Sequence, residues 1–195
     1  MTSPDAPTAA VLLIGNELLS GKTQDANLQF LGAELGALGI RLMEARVVRD
    51  DHAAIGAQLN ELRALYTYVF TTGGIGPTHD DITAESVARA FGAELEVNSQ
   101  AVERLRRGKA ELNEARLRMA RIPVGAELID NPLSIAPGFR IENVYVLAGV
   151  PAIARSMFGT LAHELTPGTS IQSATIDVLA REGDFAEALG RIADE

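Results

Sequence analysis

The chain has 195 residues, 47% of them hydrophobic and 22% charged, a balance that supports one compact domain with a real apolar core. Its formal net charge of -9 argues against a nucleic-acid or anionic-membrane partner, so any phosphate-bearing ligand must be held by a local device. The absence of cysteine removes disulfides, thiolate nucleophiles and cysteine-ligated zinc.

The opening MTSPDAPTAA has neither a basic n-region nor an apolar h-region, and the apolar run Ala9 to Ile14 is too short to span a bilayer. The expected location is the cytoplasm. That run ends at Gly15 and reads as a strand buried on both faces. Leu28, Leu31, Leu35 and Leu38 then form one helical stripe stopped by Gly39, and Ile40 to Val48 returns to a strand pattern. Asp50 or Asp51 caps the next helix, whose Ile55, Leu59 and Leu62 share a face, and Tyr66 to Thr71 forms a third strand. This β-α-β-α-β order predicts right-handed crossovers, a mainly parallel sheet and helices on both of its faces, a three-layer α/β/α architecture.

Ala84, Val87, Ala88 and Phe91 mark a further helix closed by Gly92, and a second helical stretch starts near Ser99. Its Arg104, Arg106, Arg107, Lys109, Arg116, Arg118 and Arg121 are interleaved with Glu103, Glu111 and Glu114, the pattern of a solvated face. Glu127 to Ile129 and Phe139 to Leu147 read as strands flanking the loop Asp130 to Gly138, and Pro151 opens a helix containing Ile153, Met157, Phe158 and Leu161. Thr166 to Gly168 marks a boundary, so residues 9–165 form the main domain and residues 166–195 a small appended β-α segment, with a strand over Ser170 to Leu179 and a helix over Asp184 to Ala193.

The segment Thr71 to Thr83, TTGGIGPTHDDIT, follows a strand and precedes a helix. Gly73, Gly74 and Gly76 let the backbone turn tightly and aim N–H groups at an anion, but no Lys-Ser/Thr pair follows and His79 replaces the third Rossmann glycine. A plain structural connection, with Asp80, Asp81 or Thr83 capping the helix, accounts for the glycines equally well. Two acids beside a phosphate repel it unless a hard cation bridges them or an acid accepts N–H bonds from a ring. Glu17 follows the first strand in the run Gly15-Asn16-Glu17 and Asp50 follows the second, so a parallel sheet carries Glu17, Asp50 and Asp81 to one carboxyl edge. His52 and His79 show no metal-ligand spacing, and His163 reads as structural.

The runs IGNELLSGKTQDAN from Ile14, VVRDD from Val47, TTGGIGPTHDDIT and NPLSIAPGF together resemble the N-terminal domain of CinA-like proteins, from about Val11 to about Phe158. The resemblance implies the fold of the MogA and MoaB proteins of molybdenum cofactor synthesis, which commonly form homo-oligomers. It implies a site at Gly15, Asn16, Glu17, Thr72, Gly73, Gly74, Gly76, Pro77, Thr78, Asp80, Thr83 and Ser134, with Asp50 and Asp81 in the catalytic positions. The implied ligand is molybdopterin or a related nucleotide diphosphate. CinA-like relatives also include metal-dependent pyrophosphatases that act on ADP-ribose, and related domains cleave FAD; Asp81, Asp50 and Glu17 would then hold Mg²⁺ or another divalent cation. One departure stands out: where the family pattern carries PGVP-x-E-M, this chain reads Ala148-Gly149-Val150-Pro151-Ala152-Ile153-Ala154, with Ile153 in place of the acid. That loss favours binding over turnover and leaves a non-catalytic oligomeric scaffold as a third reading.

Overall fold

Thr8–Ile14 (β1) lies at the centre of the sheet because every residue from Ala9 to Ile14 is apolar and can be buried on either face. In the computed structural model, which describes residues 6–108, 111–169, 177, 179 and 181–193, β1 pairs in parallel with Arg41–Val48 (β2) on one side and with Tyr68–Thr72 (β3) on the other. Val144–Leu147 (β8) pairs in parallel with β3, and Gly138–Ile141 (β7) and Glu127–Ile129 (β6) extend the sheet antiparallel, giving the order β2-β1-β3-β8-β7-β6. The stretch Phe139 to Leu147 is therefore a hairpin, not one strand. Its turn places Glu142 at φ 50, and Asn143 braces the turn by donating to the carbonyls of Arg63 and Tyr66.

Alternate side chains of β1 feed two cores. Ala10, Leu12 and Ile14 pack with Ile55, Leu59 and Leu62 of His52–Leu65 (α3) and Val87 of Thr83–Phe91 (α4). Ala9, Val11 and Leu13 pack with Leu31 and Leu35 of Asn27–Ala37 (α2) and with Met157, Phe158 and Leu161 of Pro151–Leu161 (α7). Helices thus cover both sheet faces, as the crossover order requires. Asp51 caps α3 by accepting from Ala54 N–H at 2.8 Å, which leaves the neighbouring Asp50 for another task.

The helical stretch expected from Ser99 breaks in two. Ser99–Arg106 (α5) is capped by Asn98 and Glu114–Arg118 (α6) by Asn113, and Leu95–Val97 (β4) pairs antiparallel with Arg121–Pro123 (β5) beside them. The short helix Asn16–Leu19 (α1) lies directly after β1. The terminal helix spans Glu182–Ala193 (α8), while the strand expected over Ser170 to Leu179 lies outside the described residues apart from two isolated positions. Among the described residues no helix is long and apolar enough to cross a membrane.

Candidate functional site

The loop after β3 is held in place by what its glycines permit. Gly73, at φ 105, sits so close to β1 that a Cβ would strike the carbonyl oxygen of Ile14, and Gly74, at φ 66, would strike the Thr83 hydroxyl. Thr83 pins the turn from below, its Oγ1 donating to Gly73 O at 2.9 Å and its N–H to Gly74 O at 2.9 Å. Neither acid caps α4, whose N-cap is Ile82 without a side-chain bond. Among the described residues the N–H groups of Gly74, Ile75 and Gly76 donate to nothing in the protein, so the loop retains the free donors an anion cradle needs.

A cavity of about 500 Å³ opens beside this loop at the carboxyl edge of the sheet. Of the expected site residues, Glu17, Gly73, Gly74, Gly76, Pro77, Asp81 and Ser134 line it. Thr72 and Thr83 are not in that lining: both are buried, Thr72 as the last residue of β3 and Thr83 as the clasp beneath the turn. Gly15, Asn16, Asp50, Thr78 and Asp80 lie outside the cavity lining as well. The cavity also has an apolar lining from Met119, Ile153 and Met157, which periodicity marks only as helix or core positions. Asn131, also in the lining, organises the loop after β6: its Nδ2 donates to Ser134 Oγ at 2.5 Å and Ala136 O at 2.8 Å, and its Oδ1 accepts from Ser134 N–H at 3.0 Å. A wider groove of about 880 Å³, lined by Thr8, Arg41 and Tyr68 among others, lies at the opposite, amino edge of the sheet and contains none of the expected residues.

The acids form a graded cluster rather than a cage. Asp50 Oδ2 accepts from Asn16 N–H at 2.8 Å, tying the loop after β2 to the loop after β1. Burial raises the Asp50 carboxyl above its ordinary range, Asn16 opposes that rise, and the charges of Glu17 and Asp80 add to it. Asp80 shifts the other way, lowered chiefly by the Thr78 hydroxyl. Thr78 Oγ1 lies 2.5 Å from Asp80 Oδ1 and 2.6 Å from Asp81 Oδ2, while Thr78 N–H donates to Asp81 Oδ2 at 2.8 Å. A hydroxyl has one proton to give, so the two carboxylates compete for the same donor. Among the described residues no group of three or more His, Cys, Asp or Glu side chains is arranged to hold a metal ion; Glu17, Asp50 and Asp81 share an edge but not a coordination sphere. His52 is engaged instead with Ser86: because Ser86 Oγ donates to Ile82 O at 2.8 Å, the His52 Nδ1 at 2.9 Å must be the donor.

Residues 10–167 match the family described as a probable molybdopterin binding domain. The chain belongs to that family. Within it the chain is of the CinA-like kind: it is 42% identical over 166 residues to a "CinA-like protein" of Citrifermentans bemidjiense, covering 80% of this chain and 40% of that one. It is also 35% identical over 216 residues to a "Probable FAD synthase" of Caenorhabditis elegans, covering 97% of this chain and 42% of that one. The chain therefore spans about two fifths of the length of both relatives. Among solved structures, CinA of Thermoplasma acidophilum, titled as of unknown function, is 33% identical with a TM-score of 0.76, over 82% of this chain and 98% of that one. MoaB of Thermus thermophilus, titled a molybdopterin biosynthesis enzyme, superposes at a TM-score of 0.55 and 18% identity, over 82% and 91% of the two chains, and so shows the shared three-layer α/β/α fold alone.

Proposed function

We propose that this domain binds a small phosphate-bearing ring compound, molybdopterin or a related nucleotide diphosphate such as ADP-ribose or FAD, in the cavity beside the glycine loop. The observation that carries the reading is the composition of that cavity: the Gly74 to Gly76 loop with its free N–H donors and the Asp81 carboxylate share one lining with the apolar side chains of Met119, Ile153 and Met157. A ring slides against the apolar wall, a ring N–H donates to Asp81, and the phosphate reaches the loop N–H groups. The family assignment and the relative named as an FAD synthase support a ligand of this class. Calorimetry with molybdopterin, ADP-ribose and FAD, each with and without Mg²⁺, tests it. Saturable binding to at least one, weakened about tenfold or more by Asp81→Asn through loss of a charge-assisted bond, is expected. No binding to any of the three overturns the proposal.

A second reading, a divalent-cation-dependent pyrophosphatase, is favoured by the crowding of Asp80 and Asp81 on the single proton of Thr78. One or two carboxylates suffice for Mg²⁺ when substrate phosphates and water complete its shell, so the absence of a three-acid cage does not conflict with a cation that arrives with its substrate. Such an ion would polarise the diphosphate. Against turnover stands Ile153, an apolar side chain in the cavity wall where the CinA-like pattern has an acid. Release of AMP from ADP-ribose or FAD in the presence of Mg²⁺, Mn²⁺ or Co²⁺, abolished by Asp81→Asn, establishes this reading; binding without AMP release leaves the first.

A further inference from the structure

The basic residues from Arg104 to Arg121 do not all belong to a solvated, charge-paired face. Arg104 pairs with Asp130, Arg107 pairs with Glu103, and Arg116 Nη1 donates to Glu111 O at 2.5 Å. Arg118, the last residue of α6, and Arg121, the first of β5, have no ion-pair partner among the described residues. Both border a crevice that adjoins the main cavity and shares Gly74, Ile75, Gly76, Asp81 and Met119 with it. At about 20 Å³ the crevice holds no more than a water, which sets the two arginines against the glycine loop with little between them. Asp81 does not consume them. Its Oδ2 accepts from Thr78 N–H at 2.8 Å and lies 2.6 Å from Thr78 Oγ1, and a Cβ on Gly76 would come within 2.6 Å of the same oxygen.

We infer that Arg118 and Arg121 supply the positive charge of the phosphate site, so that the ligand's phosphate groups are held between their guanidinium groups and the N–H groups of Gly74 to Gly76 without a divalent cation. The inference rests on the reading of the cavity as a site for a phosphate-bearing ring compound. Asp80 and Asp81 set two full negative charges beside the loop, against which backbone N–H groups offer only partial positive ones. Two guanidinium groups balance the two acids, and each presents a planar fork of donors matched to phosphate oxygens. Arg118 is exposed and Arg121 half-buried, so neither has to break an ion pair with a described residue to turn toward a ligand. The floor of the crevice strengthens the attraction. Ile122 is 4% and Phe139 1% exposed there, and charges interact more strongly beside apolar, water-poor surroundings than in open water.

Calorimetry of the full chain with molybdopterin, ADP-ribose and FAD, in EDTA and in Mg²⁺, tests the inference. The wild type is expected to bind at least one of them in EDTA. Arg118→Ala weakens that binding about threefold or more, and the pair Arg118→Ala with Arg121→Ala about tenfold or more. The pair Arg118→Lys with Arg121→Lys keeps the charge but not the fork, and its affinity lies between those of the wild type and the alanine pair. Circular dichroism melts establish that each variant is folded, and Arg118→Ala, at an exposed position, carries the test if Arg121 is needed for folding. A wild type that binds only with Mg²⁺, or either alanine variant as tight as the wild type, overturns the inference and leaves the cavity reading standing. A lysine pair no tighter than the alanine pair overturns it as well, because charge is then not what the arginines supply. No binding to any of the three compounds, with or without Mg²⁺, overturns both.

Discussion

Gly73→Ala is the sharpest test of how the glycine loop is built. At φ 105 an alanine pays for a backbone conformation that L side chains rarely adopt, about 1–3 kcal/mol, and its Cβ also meets a strand carbonyl, Ile14 O, which cannot move without breaking the β1 ladder, about 1–3 kcal/mol more. Taken together the loss is about 4 kcal/mol, a fall in Tm of roughly 8–16 °C for a chain of this size. Gly125→Ala is the control: it shares a positive φ, 87, but nothing lies within 4 Å of its Cβ, so it carries the conformational cost alone. A Gly125→Ala fall of about 4–8 °C is expected. Scanning calorimetry of both variants decides the matter, and falls of equal size would refute the claim that close approach of Gly73 to β1, rather than its φ alone, sets the loop.

Thr83→Val keeps the shape of the side chain but removes the donor to the buried Gly73 carbonyl, and a loss of about 1–3 kcal/mol in urea unfolding is expected. Asp50 has its carboxyl raised by burial and by the charges of Glu17 and Asp80, so the folded state holds this proton more tightly than the unfolded chain and stability falls as pH rises from the ordinary aspartate range through the raised value. Asp50→Asn removes that loss while its amide oxygen still accepts from Asn16, so it raises Tm at pH 7 relative to wild type, and the gain disappears below about pH 4; a gain that persists in acid would show another origin. Ile153→Glu puts an acid into the cavity wall, and the expected outcome is cation-dependent AMP release from ADP-ribose or FAD above the wild-type rate, measured by chromatography.

The layer architecture was readable because its determinants are local. The leucine stripe at Leu28, Leu31 and Leu35 is α2, and the apolar run Ala9 to Ile14 is β1, each a periodicity that only one kind of element satisfies. The β7-β8 hairpin was not readable for the opposite reason. Its turn at Glu142 and Asn143 has no glycine, and Glu142 enters the left-handed region only because the surrounding sheet and the Asn143 side chain hold it there. The break between α5 and α6 was hidden because charged, helix-favouring residues fill both helices and the segment between them; the second N-cap, Asn113, marks the restart.

The site divides along the same line, and the division bears on its chemistry. The glycine loop, Glu17 and Asp81 follow from strand-to-helix turns in a parallel sheet, so their shared edge is a matter of topology. The apolar part of the lining is assembled from Met119 after α6 and from Ile153 and Met157 of α7, elements that meet only in three dimensions. Without that wall the acids and glycines read as a phosphate-and-cation device. With it, the cavity also offers apolar surface that a phosphate-and-cation device does not need, and Ile153 supplies part of that surface. On the proposed reading an isoleucine in this position is thus more than a lost charge: it extends the apolar surface against which a ring would pack, and binding without cleavage is the outcome that reading expects.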